Sequence, residues 1–377
     1  MTTRDAVIAW RLFGLNWVAL ALMCVAFLLV VTISNFSFEP VGLSICLAVI
    51  ALYAGLAYLN ARLPQRRNAM VVFTLGATAQ LALVIVIMGP LTYLAAAANF
   101  PMQDANLHAL DLMLSLDWRA YLDFVNAHPL LGAWLSAAYS MIKWPLLAIP
   151  VVLAMAGKFR RLQQFTLAFS LALIVTTIVS ALVPAIGTYY QLGLSAADYP
   201  NLYPRAYLDQ LRDLPLVRDG TLRHLDLFAL AGIVTFPSFH AASAVLYAWA
   251  FWGVRWARPI GIIVNGAMLA GTPIDGGHYF VDLIGGIAVS VLALAVAHEA
   301  SHAIEKGLNA SGIATTPSPD LKTVPAAPPV AVSQPAVPHH DRLPAVIERA
   351  TRAAGYLAQI GQSVRECRSR RSFPRAW

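Results

Sequence analysis

The chain of 377 residues is 59% hydrophobic and only 12% charged, with a mean hydropathy of +0.65. Its apolar residues are gathered in long runs, which excludes an ordinary soluble domain and indicates a polytopic membrane protein. The three cysteines form no C-x-x-C pair, so they predict neither a disulfide framework nor a metal site. The net charge is +7, and ten of the 26 Lys and Arg residues lie from Lys306 to Arg375, which favours a basic tail beside an anionic membrane leaflet over a nucleic-acid partner.

The hydrophobic runs predict an all-α integral membrane protein with about eight transmembrane helices. The first run leads into further spans, so no cleavable signal peptide is expected. The predicted spans lie near residues 15–33, 41–59, 70–88, 130–156, 162–182, 238–253, 260–271 and 278–298.

Positive residues in the short loops predict how these spans are oriented. Four basic clusters fall on one side, whereas the short loops 34–40 and 272–277 contain no Lys or Arg. Both termini are therefore expected on the cytoplasmic side of a bacterial-type inner membrane. The clusters are Arg4 with Arg11; Arg62 with Arg66 and Arg67; Lys158 with Arg160 and Arg161; and Arg255 with Arg258.

Two long connections are predicted on the outer side. The first, 89–129, has apolar residues spaced for an amphipathic helix lying in the membrane interface. The second, 184–236, is rich in arginine, and such a concentration on the outer face suggests an anionic ligand there. Its arginines are Arg205, Arg212, Arg218 and Arg223.

Composition divides the chain into three parts. Residues 1–68 are predicted to form two additional N-terminal transmembrane helices, and 69–303 a six-helix membrane core. Residues 304–377 are rich in Pro and Ala and basic, which predicts a disordered cytoplasmic tail. Within that tail, 344–360 is compatible with a short amphipathic helix.

Two histidines are predicted to meet at one depth of the membrane. His240 stands at the outer end of the sixth span, and His278 with Asp282 at the outer end of the eighth. Ionisable residues inside a membrane are costly and usually functional. A helical spacing of four would let Asp282 orient the His278 ring.

These residue types suit nucleophilic transfer with acid–base assistance. A neutral imidazole such as that of His278 can attack phosphorus if its other nitrogen donates to a carboxylate. His240 would then protonate the leaving oxygen. Ser238 and the free N–H groups that begin the sixth span would bind an anion, and Gly277 would let the chain approach a phosphate closely. This mechanism requires neither a metal nor a cofactor.

The stretches P-S-F-H, at 237–240, and H-Y-F-V-D, at 278–282, resemble the second and third motifs of the type-2 phosphatidic acid phosphatase superfamily, with similarity over about residues 70–300. H-Y-F-V-D-L-I-G-G is most similar to the inositol phosphorylceramide synthase (inositolphosphotransferase) branch. The same is true of L-V-R-D-G-T-L-R and of the aspartate pattern formed by Asp104, Asp111, Asp117 and Trp118. The resemblance implies a phosphatase-like helical core.

It also implies roles for three residues: His278 as the nucleophile that becomes phosphohistidine, Asp282 as its orienting partner and His240 as the acid. The implied substrate is a phospholipid or sphingolipid. The implied site lies on the outer face of the membrane.

The chain departs from the phosphatase pattern at its cationic positions. Thr272 stands where phosphatases have an arginine, six residues before the nucleophile, and the first motif, K-x6-R-P, is missing. A pentavalent phosphorus transition state still needs cations or hydrogen-bond donors. The favoured substitutes are, in order, Arg218, Arg223 and Arg212, followed by Lys143.

Several alternatives remain open from the sequence. Water as acceptor would make the protein a lipid phosphate phosphatase, whereas an alcohol would make it a phosphotransferase. A non-enzymatic lipid transporter is a different class, although the two halves show no internal symmetry. The histidines could be packed structurally or bind a metal or haem, and the arginines could simply pair with nearby aspartates. The oligomeric state is not predicted.

Overall fold

The structure is a computed structural model that describes residues 3–62 and 68–310. These residues form thirteen α-helices and two strands of two residues each, which confirms the all-α membrane fold. In chain order the elements are α1 (Thr3–Ile33), β1 (Ser37–Phe38), α2 (Pro40–Arg62), α3 (Ala69–Ala96), α4 (Asp104–Met113), α5 (Trp118–Asn126), α6 (Pro129–Ser140), α7 (Lys143–Met155), α8 (Phe159–Leu182), α9 (Thr188–Gln191), α10 (Arg205–Arg218), β2 (His224–Leu225), α11 (Phe239–Trp252), α12 (Arg258–Asp275) and α13 (Phe280–Ala310).

Five of the described helices are long and apolar enough to cross a membrane, namely α1, α2, α3, α8 and α13. The bent pair of α6 and α7 would make six. Helices α11, with 14 residues, and α12, with 18, are not among them. A count of eight therefore stays a prediction.

The predicted fourth span, 130–156, is broken in the structure into α6 and α7, whose axes differ by 55°. Pro145 lies in the first turn of α7. Proline has no N–H to donate, and its ring collides with the carbonyl four residues earlier, here that of Met141. The apolar run therefore continues across a break that hydrophobicity alone does not reveal.

Helix α8 lies at the centre and packs against α1, α3, α11 and α13, while α12 packs between α6 and α11. The buried core contains stacked aromatic side chains, including Phe73 with Phe159 and Phe169 with Tyr247. Large apolar side chains such as Leu22 and Trp134 are exposed on the outside of the bundle. A lipid environment accommodates such a surface without the cost that water would impose.

One end of the bundle carries the basic clusters together. Arg160 contacts Glu305 at 3.0 Å and Asp5 at 3.4 Å, and Arg4 contacts Glu305 at 3.1 Å. Arg161 donates to the carbonyl of Trp249 at the end of α11. The start of α1, the start of α8 and the end of α13 therefore share one end, as the charge pattern predicts for a common side.

The opposite end is built from the two long connections. Strand β1 pairs in parallel with β2, which joins the α1–α2 loop to the chain after α10. The connection 89–129 contains the end of α3, which runs to Ala96, and then α4 and α5. The predicted amphipathic stretch lies in these two short helices. The connection 184–236 contains α9 and α10.

Helix α13 runs to Ala310, so residues 304–310 continue a helix although the sequence places them in the tail. The amphipathic helix predicted at 344–360 and the cluster residues Arg66 and Arg67 lie outside the described residues.

Candidate active site

His278 and Asp282 are in contact, with 3.2 Å between His278 Nδ1 and Asp282 Oδ2. Both side chains are buried, with residue exposures of 3% and 0%. The predicted reason for the contact needs correction, because α13 begins at Phe280 and His278 precedes it. Asp282 is the third residue of the helix, and the same Oδ2 accepts the backbone N–H of Tyr279 at 2.9 Å, as in a capping box. Helix capping therefore brings the carboxylate to the histidine.

Ser238 lies at the other nitrogen of the ring. It is the N-cap of α11, and its Oγ accepts the N–H of Ala241 at 3.3 Å. The same Oγ is 3.5 Å from His278 Nε2. The first N–H groups of a helix have no intrahelical acceptor, so the start of α11 offers donors to an anion beside Nε2.

His240 lies in the first turn of α11, two residues after Ser238. Its ring stacks on that of Tyr139 of α6, with 3.9 Å between centroids and 11° between planes. This stack fixes the plane of the imidazole. The structure therefore brings His240, Ser238 and His278 to the same end of the bundle, as the sequence predicts.

Gly277 and Gly276 shape the turn that leads to His278. Gly277 has φ +62°, and its carbonyl accepts the N–H of Thr188 at 2.8 Å and the Thr188 hydroxyl at 3.0 Å. A Cβ on Gly276 would overlap the His278 ring. Both glycines thus hold the His278 ring in place, and the contact between Gly277 and a phosphate stays a prediction.

Three buried carboxylates, those of Asp104, Asp111 and Asp275, lie around this turn. Asp104 accepts the Tyr279 hydroxyl at 2.9 Å and the N–H of Gly187 at 2.8 Å. Asp111 accepts the N–H groups of Phe280 and Val281, at 2.9 and 2.8 Å, which begin α13. Burial raises the pKa of Asp111, and these two hydrogen bonds act in the opposite direction.

Asp275, the third of these carboxylates and the last residue of α12, accepts the Ser136 hydroxyl of α6 at 2.9 Å and is 4% exposed. Asp275 does not stand out in the sequence, because its partner lies 139 residues away. Tyr139 was missed for the same reason. The sequence signal that could have revealed Asp275 is its position three residues before His278.

The outer arginines are held by local partners. Arg212 pairs with Asp213 at 2.6 Å and with Asp209 at 3.2 Å, and the bond to Asp213 raises the pKa of Arg212. Arg218 donates to the carbonyl of Phe100 at 2.8 Å. Arg223 donates to the carbonyl of Val217 at 2.6 Å and lies over a phenylalanine ring. Within the described chain, no hydrogen bond or ion pair joins these arginines to either histidine.

Lys143 begins α7, immediately after the break that follows α6. It lines a cavity of about 180 Å³ together with Phe239, the neighbour of His240. Thr272, where phosphatases have an arginine, is fully buried and donates its hydroxyl to the carbonyl of Met268. Lys143 is thus the predicted cation that shares a cavity with α11.

The described residues contain no group of three or more His, Cys, Asp and Glu side chains placed to hold a metal ion. This end of the bundle brings together a histidine–aspartate pair, a second histidine and a helix N-terminus.

A comparison with known protein families identifies the class of enzyme to which the chain belongs. The PAP2 superfamily matches residues 105–296, which is half of the chain and includes both histidines. This chain belongs to the PAP2 superfamily. Its members are phosphatases or phosphotransferases, which indicates such activity on lipid phosphates for this multi-pass membrane protein. No curated protein and no solved structure shows a significant match.

Proposed function

We propose that this protein is a lipid phosphotransferase of the inositol phosphorylceramide synthase type, acting through a phosphohistidine at His278. The observation that carries this proposal is the placement of the His278 ring. Nδ1 faces the Asp282 carboxylate at 3.2 Å, and Nε2 faces the start of α11. Such an imidazole has one nitrogen held as a donor and the other left as a nucleophile.

In the first step, Nε2 of His278 attacks the phosphorus of a lipid phosphate ester. A P–N bond forms while the bond from phosphorus to the leaving alcohol breaks. His240 donates its proton to that alcohol oxygen. The positive charge that develops on the His278 ring is stabilised by Asp282.

In the second step, an acceptor alcohol attacks the phosphohistidine and the P–N bond breaks. His240, now neutral, removes the proton of the acceptor, which restores both histidines. The first N–H groups of α11, with Ser238, would bind the phosphoryl oxygens. Lys143 is the cation that we now favour over Arg218, Arg223 and Arg212, because those three are engaged elsewhere.

The phosphotransferase is preferred over the phosphatase because of Thr272. Its buried hydroxyl is committed to the helix backbone, so this position supplies no charge to a phosphate. Water as acceptor would give the second candidate, a lipid phosphate phosphatase. In either case the substrate would enter from the outer leaflet, with both termini in the cytoplasm.

The test is turnover by purified protein in detergent with mixed diacylglycerol and sphingoid phospholipids. Wild type is compared with His278→Ala and His240→Ala, and with His302→Ala as a control at the opposite end of the bundle. We expect head-group exchange that is lost in His278→Ala and retained in His302→Ala. Release of free phosphate would instead identify the phosphatase, and equal inertness of all four proteins would refute the catalytic role.

A further inference from the structure

The site has no arginine at the position where PAP2 phosphatases carry one, yet it contains a hydroxyl that the mechanism above does not use. The point where a Cβ of Gly276 would lie is 2.9 Å from His278 Nε2 and 3.0 Å from the Tyr139 hydroxyl oxygen. The same point is even closer to His278 Cδ2, so an atom there would displace the ring. The distances of 2.9 and 3.0 Å place the Tyr139 hydroxyl oxygen within about 6 Å of the nucleophilic nitrogen.

Tyr139 is rigidly placed and its hydroxyl is available. The residue is 9% exposed, and its ring stacks face to face on His240. Asp275, the nearby carboxylate, is already bonded to Ser136. In the described chain the Tyr139 hydroxyl has no hydrogen-bond partner, unlike that of Tyr121, which donates to the carbonyl of Ala270 at 2.8 Å.

We propose that Tyr139 is a catalytic residue that donates a hydrogen bond to a non-bridging oxygen of the phosphoryl group in the transition state. This role rests on the proposed function. A donor within about 6 Å of the attacking nitrogen can reach a non-bridging oxygen of the phosphoryl group that this nitrogen attacks, which is the geometric requirement for stabilising developing negative charge. A fixed neutral donor in a buried site needs no reorganisation as that charge develops, and it carries no charge that burial would penalise.

One side chain would thus serve two purposes. The face of the Tyr139 ring fixes the general acid, and its edge carries the donor. A phenylalanine keeps the face and removes the donor, so the two contributions separate experimentally.

The experiment compares wild type with Tyr139→Phe, using Tyr121→Phe, on the preceding helix α5, as the matched control. Loss of one such donor lowers kcat by about 10²- to 10³-fold. We expect this loss in Tyr139→Phe with little change in KM, and wild-type kinetics in Tyr121→Phe. Orthovanadate, which resembles the pentavalent transition state, should bind Tyr139→Phe more weakly in proportion to the loss of kcat/KM.

Two results would overturn the role of Tyr139: a Tyr139→Phe protein as fast as wild type, or one that is slower but binds orthovanadate as tightly. Failure of the proposed function itself looks different, because wild type would then be inactive and would form no acid-labile phosphohistidine.

Discussion

At the scale of single residues, the Asp282 carboxylate accepts fewer hydrogen bonds than it could. Its Oδ2 accepts two hydrogen bonds, from His278 and from the backbone of Tyr279. Its Oδ1 is buried and has no partner in the described chain. A buried carboxylate with incomplete compensation favours positive charge nearby. The charge that appears on the His278 ring during attack on phosphorus would supply it.

Asp282→Asn removes this charge while it keeps the size of the side chain. We expect kcat to fall by about 10²- to 10⁴-fold, because the amide can hold the wrong tautomer of His278 and does not stabilise its cation. Steady-state turnover would measure the effect. Asp123→Asn, on an exposed aspartate paired with Arg119, is the control and should be neutral.

Gly276→Ala tests the steric side of the same site. The new methyl group would collide with the His278 ring, so activity should be lost although the chain still folds. Gly266→Ala, in the preceding helix α12, adds its methyl group to open space and should be neutral or stabilise the helix by up to about 1 kcal/mol. Comparable activity of the two variants would show that the observed ring position is not needed.

The spacing of four residues predicted the contact between His278 and Asp282, although a capped turn before α13 and not a continuous helix produces it. The anion-binding role of Ser238 stays a prediction. Tyr139 and Asp275 could not be found from the sequence, since their contacts depend on how α6 packs against α11 and α12. The phosphate-binding role of the arginines also stays a prediction, and a related reason limits it. Composition reports how many cations a loop holds, but their partners are chosen by tertiary packing.

At the scale of elements, the beginning of α13 determines where His278 lies. Asp111 of α4 accepts the first two N–H groups of α13. Asp282, inside the helix, accepts the N–H of Tyr279, the residue that precedes it. The aspartates of the pattern noted in the sequence therefore have separate structural roles. Asp104 and Asp111 hold the turn around Tyr279, whereas Asp117 caps α5 by accepting the N–H of Ala120 at 2.9 Å.

Asp111→Ala should therefore affect both stability and function. It leaves two backbone N–H groups without acceptors, which is expected to cost about 1–3 kcal/mol of unfolding free energy, and it releases the turn that carries His278. Thermal unfolding in detergent and turnover would be measured together. Asp117→Ala removes a cap of similar kind from α5 and should cost about 1 kcal/mol with activity retained. A stable and active Asp111→Ala protein would contradict this account.

At the scale of the whole molecule, helix α1 is hydrogen-bonded to two helices of the predicted core, α3 and α8. Asn16 of α1 donates to both the side chain and the backbone carbonyl of Gln163 of α8, at 2.9 and 3.1 Å. Gln80 of α3 donates to the carbonyl of Phe13. The sequence predicted the helices and the end at which their charges lie. It did not predict these amide contacts, because isolated amides in apolar runs reveal no partner.

The Asn16–Gln163 pair offers a double-mutant cycle. Asn16→Leu and Gln163→Leu should each lower the unfolding free energy by about 1 kcal/mol, because each leaves a buried amide without its partner. The double substitution should be close to neutral, since it replaces both polar groups. Unfolding in detergent gives the four values, and additive losses would show that the two amides act independently.

The support of His278 also has a consequence for the life of the protein in the cell. Tyr279 and Asp104 are 175 residues apart in the chain, and Phe280 and Asp111 are 169 apart. Contacts of such sequence separation form late, because a long loop must close before they are made. A chain still being inserted would therefore already contain both histidines, but His278 would not yet be held in position. In the proposed mechanism, such a chain would be inactive towards the membrane lipids until α13 docks.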